Sequence, residues 1–87
     1  MELNARYFGV ISCPDTSGKA IRKRYNKDSV EEILEIYKTI SENNFFNLIG
    51  IVDLETFELV FPDILDEDLI RGKMEIIEYE YNTATKT

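Results

Sequence analysis

The sequence predicts a small α+β domain: a mostly antiparallel sheet of four to five strands, with one long helix packed on one face. Its 87 residues are enough for one domain with its own core. Short stretches rich in β-branched and aromatic residues are separated by turn-forming residues, and one apolar stripe of helical period lies between them. The predicted order is β-β-α-β-β-short α-β, with residues 1–81 in the domain and 82–87 in a disordered tail.

The first two predicted strands form a β-hairpin. Residues 6–13 (RYFGVISC) are rich in aromatic and β-branched side chains, and residues 14–18 (PDTSG) are of turn-forming type. In residues 19–26 (KAIRKRYN), successive side chains point to opposite faces of the strand. One face is expected to carry Ile21, Lys23 and Tyr25, and the other Ala20, Arg22 and Arg24.

The long helix has the clearest signals in the chain. Ser29 is followed three residues later by Glu32, which matches a capping box that satisfies two backbone N–H groups. A single apolar stripe then recurs at helical spacing, formed by Val30, Ile33, Leu34, Tyr37 and Ile40. The helix is expected to stop near Asn43 and Asn44.

The second half of the chain predicts three more strands and a short helix. Residues 57–61 (FELVF) are expected to pair back on residues 45–53 (FFNLIGIVD), with Phe57, Leu59 and Phe61 on one side. Residues 63–72 (DILDEDLIRG) predict one or two helical turns, capped by Asp63 and ended by Gly72. Residues 73–81 (KMEIIEYEY) are expected to form the last strand.

The third strand raises a packing problem. Residues 45–53 are apolar in both alternation phases, which is typical of a strand that is covered on both faces. One helix covers only one face. The other must be closed by sheet curvature, by residues 63–70 or by another molecule, so a homodimer or an obligate partner is one expectation.

The composition argues against several functional classes. The chain has no His, so it lacks the commonest general base and the commonest metal ligand, and neither an enzyme nor a cofactor or metal site is expected. Cys13 is the only cysteine, so no intramolecular disulfide can form and a reducing, cytoplasmic setting is expected. The apolar runs are far too short for a membrane span.

Charge is divided along the chain, whose net charge is −7. Residues 1–27 contain six basic and two acidic residues, whereas residues 28–87 contain fifteen acidic and four basic ones. Such asymmetry bears on association with other molecules rather than on fold.

The basic strand has three interpretations. Ser17-Gly18-Lys19 resembles part of a phosphate-binding loop, but the first glycine of that motif is misplaced and Ala20 stands where a hydroxyl residue is needed. The cations could instead keep an edge strand soluble and unpaired or pair with the chain's own carboxylates. They could also contact an acidic surface of a partner protein. The alternative functional hypothesis is a nucleotide- or phosphate-binding protein that uses Lys19, Arg22, Arg24, Lys27 and Tyr25.

The acidic residues suggest the leading functional hypothesis. A calcium loop is not expected, because Arg71 stands where that motif needs glycine. Glu78 and Glu80 on one face of a strand would place carboxylates at a fixed spacing, as in a mimic of nucleic acid. The candidate partner-binding face comprises Glu58, Asp63, Asp66, Glu67, Asp68, Glu75, Glu78 and Glu80.

The expected partner of this face is a protein with a basic surface, such as a nuclease or another nucleic-acid-binding effector. Direct binding to nucleic acid is not expected of so acidic a chain. Small size, acidity and the lack of catalytic groups are typical of inhibitors carried by phages or mobile elements, which act on defence systems or serve as immunity proteins.

Overall fold

The computed structural model describes residues 3–41 and 47–86, which form a four-stranded antiparallel sheet and two helices. The α+β class predicted from the sequence is confirmed. The sheet order is β2-β1-β3-β4, so β1 and β3 are central and β2 and β4 are the edges. In chain order the elements are β1 (Tyr7–Pro14), β2 (Ala20–Lys27), α1 (Val30–Ser41), β3 (Asn47–Asp53), β4 (Glu58–Phe61) and α2 (Glu67–Thr85).

The predicted hairpin and long helix are both confirmed. β1 and β2 pair without a register shift from Tyr7 opposite Lys27 to Pro14 opposite Ala20. At the start of α1, the backbone N–H of Glu32 donates to Ser29 Oγ (3.3 Å) and the backbone N–H of Ser29 donates to Glu32 Oε2 (3.1 Å). This is the capping box that the sequence predicts. The predicted helix stop at Asn43-Asn44 lies outside the described residues.

α2 corrects the prediction for the last third of the chain. Residues 73–81 are helical, so the predicted fifth strand is wrong, and the helix continues through Gly72 instead of ending there. The N-cap is Asp66 rather than Asp63, and its carboxylate accepts hydrogen bonds from the backbone N–H groups of Asp68 and Leu69 (3.0 and 3.2 Å). Residues 82–85, assigned to the tail from the sequence, lie in the last turn of α2.

The two helices cover opposite faces of the sheet. α1 packs on one face around a cluster formed by Ile11, Ile33, Leu48 and Ile51. α2 packs on the other around Phe8, Val10, Ile49, Val52, Ile77 and Ala84. The expectation of a helix on one face only is therefore corrected. β3 is covered on both faces by its own chain, so the argument for a homodimer from an open face loses its basis.

Two register shifts shape the sheet around β3. Ile49 is the extra residue between the pairs Val10–Gly50 and Ile11–Leu48, and its carbonyl accepts a hydrogen bond from Lys73 Nζ of α2 (3.0 Å). In β4, Val60 is the extra residue between Leu59 and Phe61.

Because of the register shift in β4, the prediction that Leu59 and Phe61 lie on the same side of the strand is wrong. Leu59 packs with the α2-side cluster and Phe61 with the α1-side cluster, so the two do not share a side. A bulge inserts one residue and thereby reverses the faces that follow it.

Candidate interaction surfaces at the two sheet edges

The strand order places opposite charges at opposite edges of the sheet. β2, with the turn before it, forms a basic edge, which we define as Lys19, Arg22, Lys23, Arg24 and Lys27. β4 and the start of α2 form an acidic edge, defined as Glu58, Asp63, Asp66, Glu67 and Asp68. Three strand spacings separate β2 from β4, a distance of about 14 Å.

An apolar groove lies within the acidic edge, between β4 and the first half of α2. Its volume is 360 Å³. Glu58 and Asp63 line it together with the apolar residues Phe57, Leu59, Pro62, Ile64, Ile70 and Met74. The remaining three acids occupy the N-cap and first turn of α2, within about one helical turn of Ile70.

The carboxylates of the acidic edge are mostly uncompensated. Asp66 caps α2, and Asp68 pairs with Arg71 one turn along the helix (3.0 Å). Within residues 3–41 and 47–86, Glu58, Asp63 and Glu67 have no ion pair. Two exposed leucines lie beside them, with Leu65 94% and Leu69 48% exposed.

Glu80 does not belong to the acidic face that the sequence predicts. In a helix, residues two positions apart do not share a face, so Glu78 and Glu80 diverge. The Glu80 side chain is buried against β2, where its carboxylate contacts Arg22 (3.5 Å) and Arg24 (3.7 Å). Glu75 and Glu78 are exposed along α2 beyond the acidic edge.

The structure does not assemble the five residues of the alternative phosphate site. Arg22 and Arg24 lie on one face as predicted, but both contact Glu80. Tyr25 packs on the other face with the α1-side cluster. Lys19 and Lys27 flank opposite ends of β2, and Lys27 lines a separate pocket with Glu32 and Glu35.

The turn before β2 uses its own carboxylate in place of a bound anion. Asp15 Oδ1 accepts hydrogen bonds from the Ser17 hydroxyl (2.6 Å), the Ser17 N–H (2.8 Å) and the Lys19 N–H (2.9 Å). The hydroxyl bond, with help from the backbone N–H groups, lowers the pKa of Asp15 below its ordinary value. This agrees with the rejection of a phosphate-binding loop from the sequence, because the N–H groups that would hold phosphate are occupied.

Arg6 binds two acidic residues at the end of β3 and in the turn that follows it, Asp53 and Glu55. Its Nε lies 3.1 Å from both carboxylate oxygens of Asp53, and its second terminal nitrogen lies 2.8 Å from Asp53 and 3.3 Å from Glu55. Asp53 is buried, and the bonds from Arg6 together with the Glu55 N–H lower its pKa. This carboxylate therefore stays ionised to lower pH than an ordinary one and is not available to a partner.

A second groove, of 540 Å³, runs along the outer side of β2. Arg22, Lys23, Arg24 and Tyr25 form one wall, and the end of α2 contributes Thr83, Ala84 and Lys86. Sequence reasoning missed this second wall, because it assigned those three residues to a disordered tail.

Two further features bear on chemistry. Across residues 3–41 and 47–86, no group of three or more His, Cys, Asp and Glu side chains is arranged to hold a metal ion. In the same part of the chain, neither helix has the length and apolar character that a membrane crossing requires.

Comparison with protein families, with curated proteins and with solved structures finds no match to this chain. Its function is therefore inferred from its own residues.

Proposed function

We propose that this chain is a non-enzymatic binding protein whose acidic edge occupies the basic surface of a partner protein. The observation that carries the proposal is the set of exposed carboxylates, most of them without an ion pair among the described residues, around an apolar groove and two exposed leucines. The proposed partner is a nuclease or another nucleic-acid-binding effector, and the proposed effect is inhibition, as in anti-defence or immunity proteins.

Helix stability alone does not explain the acidic edge. The dipole of α2 favours acidic residues in its first turn, which accounts for Asp66, Glu67 and Asp68. It does not account for Glu58 and Asp63, which lie on β4 and in the following loop. Like charges from separate elements repel one another. Among the described residues only Arg71 forms an ion pair with the acidic edge, so the concentration of carboxylates there supports a role in binding.

The apolar component supports a protein partner. Protein interfaces commonly combine a buried apolar anchor with a polar, solvent-accessible rim. Here Leu65 and Leu69 project from the acidic edge, and the groove beside them can accept an apolar side chain of the partner. A partner that offers Lys and Arg around an apolar residue would match both features.

The proposal can be tested with a matched pair of charge-reversed variants. In the first, Glu58→Lys is combined with Asp63→Lys at the acidic edge. In the control, Glu31→Lys is combined with Glu35→Lys on α1, which gives the same change of net charge on another surface. Calorimetry and nucleic-acid cleavage assays against a panel of purified nucleases and RNA-guided effectors measure binding and inhibition.

We expect the wild type to bind at least one partner with an affinity that falls as salt rises, because charge complementarity contributes to the complex. Reversal at the acidic edge should weaken binding by about tenfold or more, and the control by less than about threefold. Equal losses in the two variants would mean attraction by net charge alone. That result, or binding that is indifferent to salt, contradicts the proposal.

A further inference from the structure

We propose that the outer edge of β2 binds an extended acidic segment of a partner protein as an additional antiparallel or parallel strand. Three features of residues 3–41 and 47–86 meet there: a strand edge without a paired neighbour, a groove walled by the end of α2, and lysines without ion pairs. This surface is separate from the acidic edge, so the inference does not depend on the function proposed above.

The hydrogen-bonding pattern identifies which backbone groups are free. Asp15 N–H donates to the Lys19 carbonyl (2.8 Å), so Asp15 and Lys19 form a hydrogen-bonded pair. In an antiparallel ladder, hydrogen-bonded pairs alternate with non-hydrogen-bonded pairs. The next pair, Pro14 opposite Ala20, is therefore a non-hydrogen-bonded one, which suits proline because it has no N–H. The N–H and carbonyl groups that point outward from the sheet are therefore those of Ala20, Arg22, Arg24 and Asn26.

β2 is better suited than β4 to accept a strand. It keeps one register over eight residues, whereas β4 has four residues and a register shift at Val60. Bulges twist an edge away from new partners. Within the described residues, β2 has no backbone neighbour on its outer side.

The groove gives an incoming strand a second wall. It follows Arg22–Tyr25 along the strand and is closed on one side by Thr83, Ala84 and Lys86 of the α2 end. A new strand would lie about 4.8 Å from β2, within this groove. Its side chains would alternate between Arg22, Arg24 and Lys86 on one side and Lys23 on the other.

The positive charges around the outer edge of β2 favour an acidic peptide. Lys19, Lys23, Lys27 and Lys86 have no ion pair within the described residues, and all four are exposed. A second copy of β2 is disfavoured, because antiparallel pairing with itself would bring cations opposite cations. Glutamate or aspartate at alternating positions would instead face the lysines on one side of β2, Lys19, Lys23 and Lys27.

A peptide fits the groove better than a phosphate group does. Arg22 and Arg24 already contact Glu80, so they are not free to grip a phosphate by two bonds each. An extended peptide also brings N–H donors for the outward carbonyls of β2.

The test uses fluorescence polarisation of a labelled eight-residue peptide of alternating Glu and Val, added to the full chain. Two further peptides have the same sequence but carry backbone N-methyl groups on every second residue. One is methylated at the odd-numbered positions and the other at the even-numbered positions. Only one set of N–H groups can face β2. We expect one N-methylated peptide to lose about tenfold or more in affinity and the other to bind like the parent.

Variants and competitors complete the test. Lys23→Glu should weaken binding of the parent peptide about fivefold, whereas Lys38→Glu, on α1 and outside the groove, should leave it unchanged. Amide hydrogen exchange at Arg22 and Arg24 should slow when the peptide binds. Equal behaviour of the two N-methylated peptides, no binding of the parent, or tighter binding of an eight-nucleotide oligothymidylate or inorganic phosphate overturns the proposal.

Discussion

The carboxylate of Glu80 links α2 to β2. The residue is only 7% exposed, and two arginines from a strand distant in sequence compensate its charge. Burial of an unpaired charge is costly, so the arginines make the position tolerable. Two of the five cations of the basic edge, Arg22 and Arg24, therefore have a structural role in the attachment of α2.

Substitution of Glu80 should destabilise the fold. We expect Glu80→Gln to lower the free energy of unfolding by about 1–2 kcal/mol, a moderate value because both arginines are partly exposed. Urea denaturation measures the change. The control is Glu78→Gln on the exposed side of α2, which should stay within about 0.5 kcal/mol of the wild type. Similar effects in the two variants would show that the Glu80 contacts contribute little.

α2 shows where an inference from local pattern fails. Ile77, Tyr79 and Tyr81 alternate with Glu78 and Glu80, which is typical of a strand. Over a longer window, apolar residues recur at steps of four and three, which is the period of a helix. That stripe comprises Ile70, Met74, Ile77, Tyr81 and Ala84. Glycine commonly follows the end of a helix, so Gly72 predicts the end of a short helix and obscures the longer periodicity that runs across it.

The tertiary contacts explain why residues 73–81 form a helix rather than a strand. Tyr81 packs edge-on against Phe8 (5.9 Å between ring centroids) and Phe57 (5.2 Å). In a strand, Tyr79 would share that face, but in α2 it is exposed to solvent. α1 was predictable because its capping box and its stripe lie next to each other in sequence. The two register shifts around β3 left no comparable sequence signal.

Gly72 offers a test at the level of the helix. A Cβ added at Gly72 would meet no atom within 4 Å, so Gly72→Ala should stabilise α2 by about 0.5–1 kcal/mol through lower chain entropy in the unfolded state. Thermal and urea denaturation measure this. The control is Gly50→Ala, where a Cβ would lie 2.7 Å from Leu59 Cδ1 and 3.2 Å from the Phe61 carbonyl, so stability should fall. Loss of stability in Gly72→Ala would contradict the helical assignment.

At the scale of the molecule, the candidate sites were only partly predictable. The basic and acidic stretches are visible in the sequence, but strand order decides that they lie at opposite edges. The sequence also could not show which charges pair internally: Arg6 with Asp53, and Arg22 and Arg24 with Glu80, join residues 47 to 58 positions apart. Those pairs remove Asp53 and Glu80 from any surface for partners.

Closure of both sheet faces predicts the oligomeric state. Because α1 and α2 cover the faces of β1 and β3, we expect a monomer at micromolar concentration. Size-exclusion chromatography with light scattering measures the mass. A dimer that persists on dilution would show that another surface, such as the exposed leucines at Leu65 and Leu69, pairs two chains.

The order of the four strands also gives the molecule an electric dipole moment, from the negative β4 side to the positive β2 side. The field of a positively charged partner would exert a torque on this dipole during approach, so that the β4 side turns toward the partner before contact. Such orientation raises the rate of productive encounters more than the lifetime of the complex.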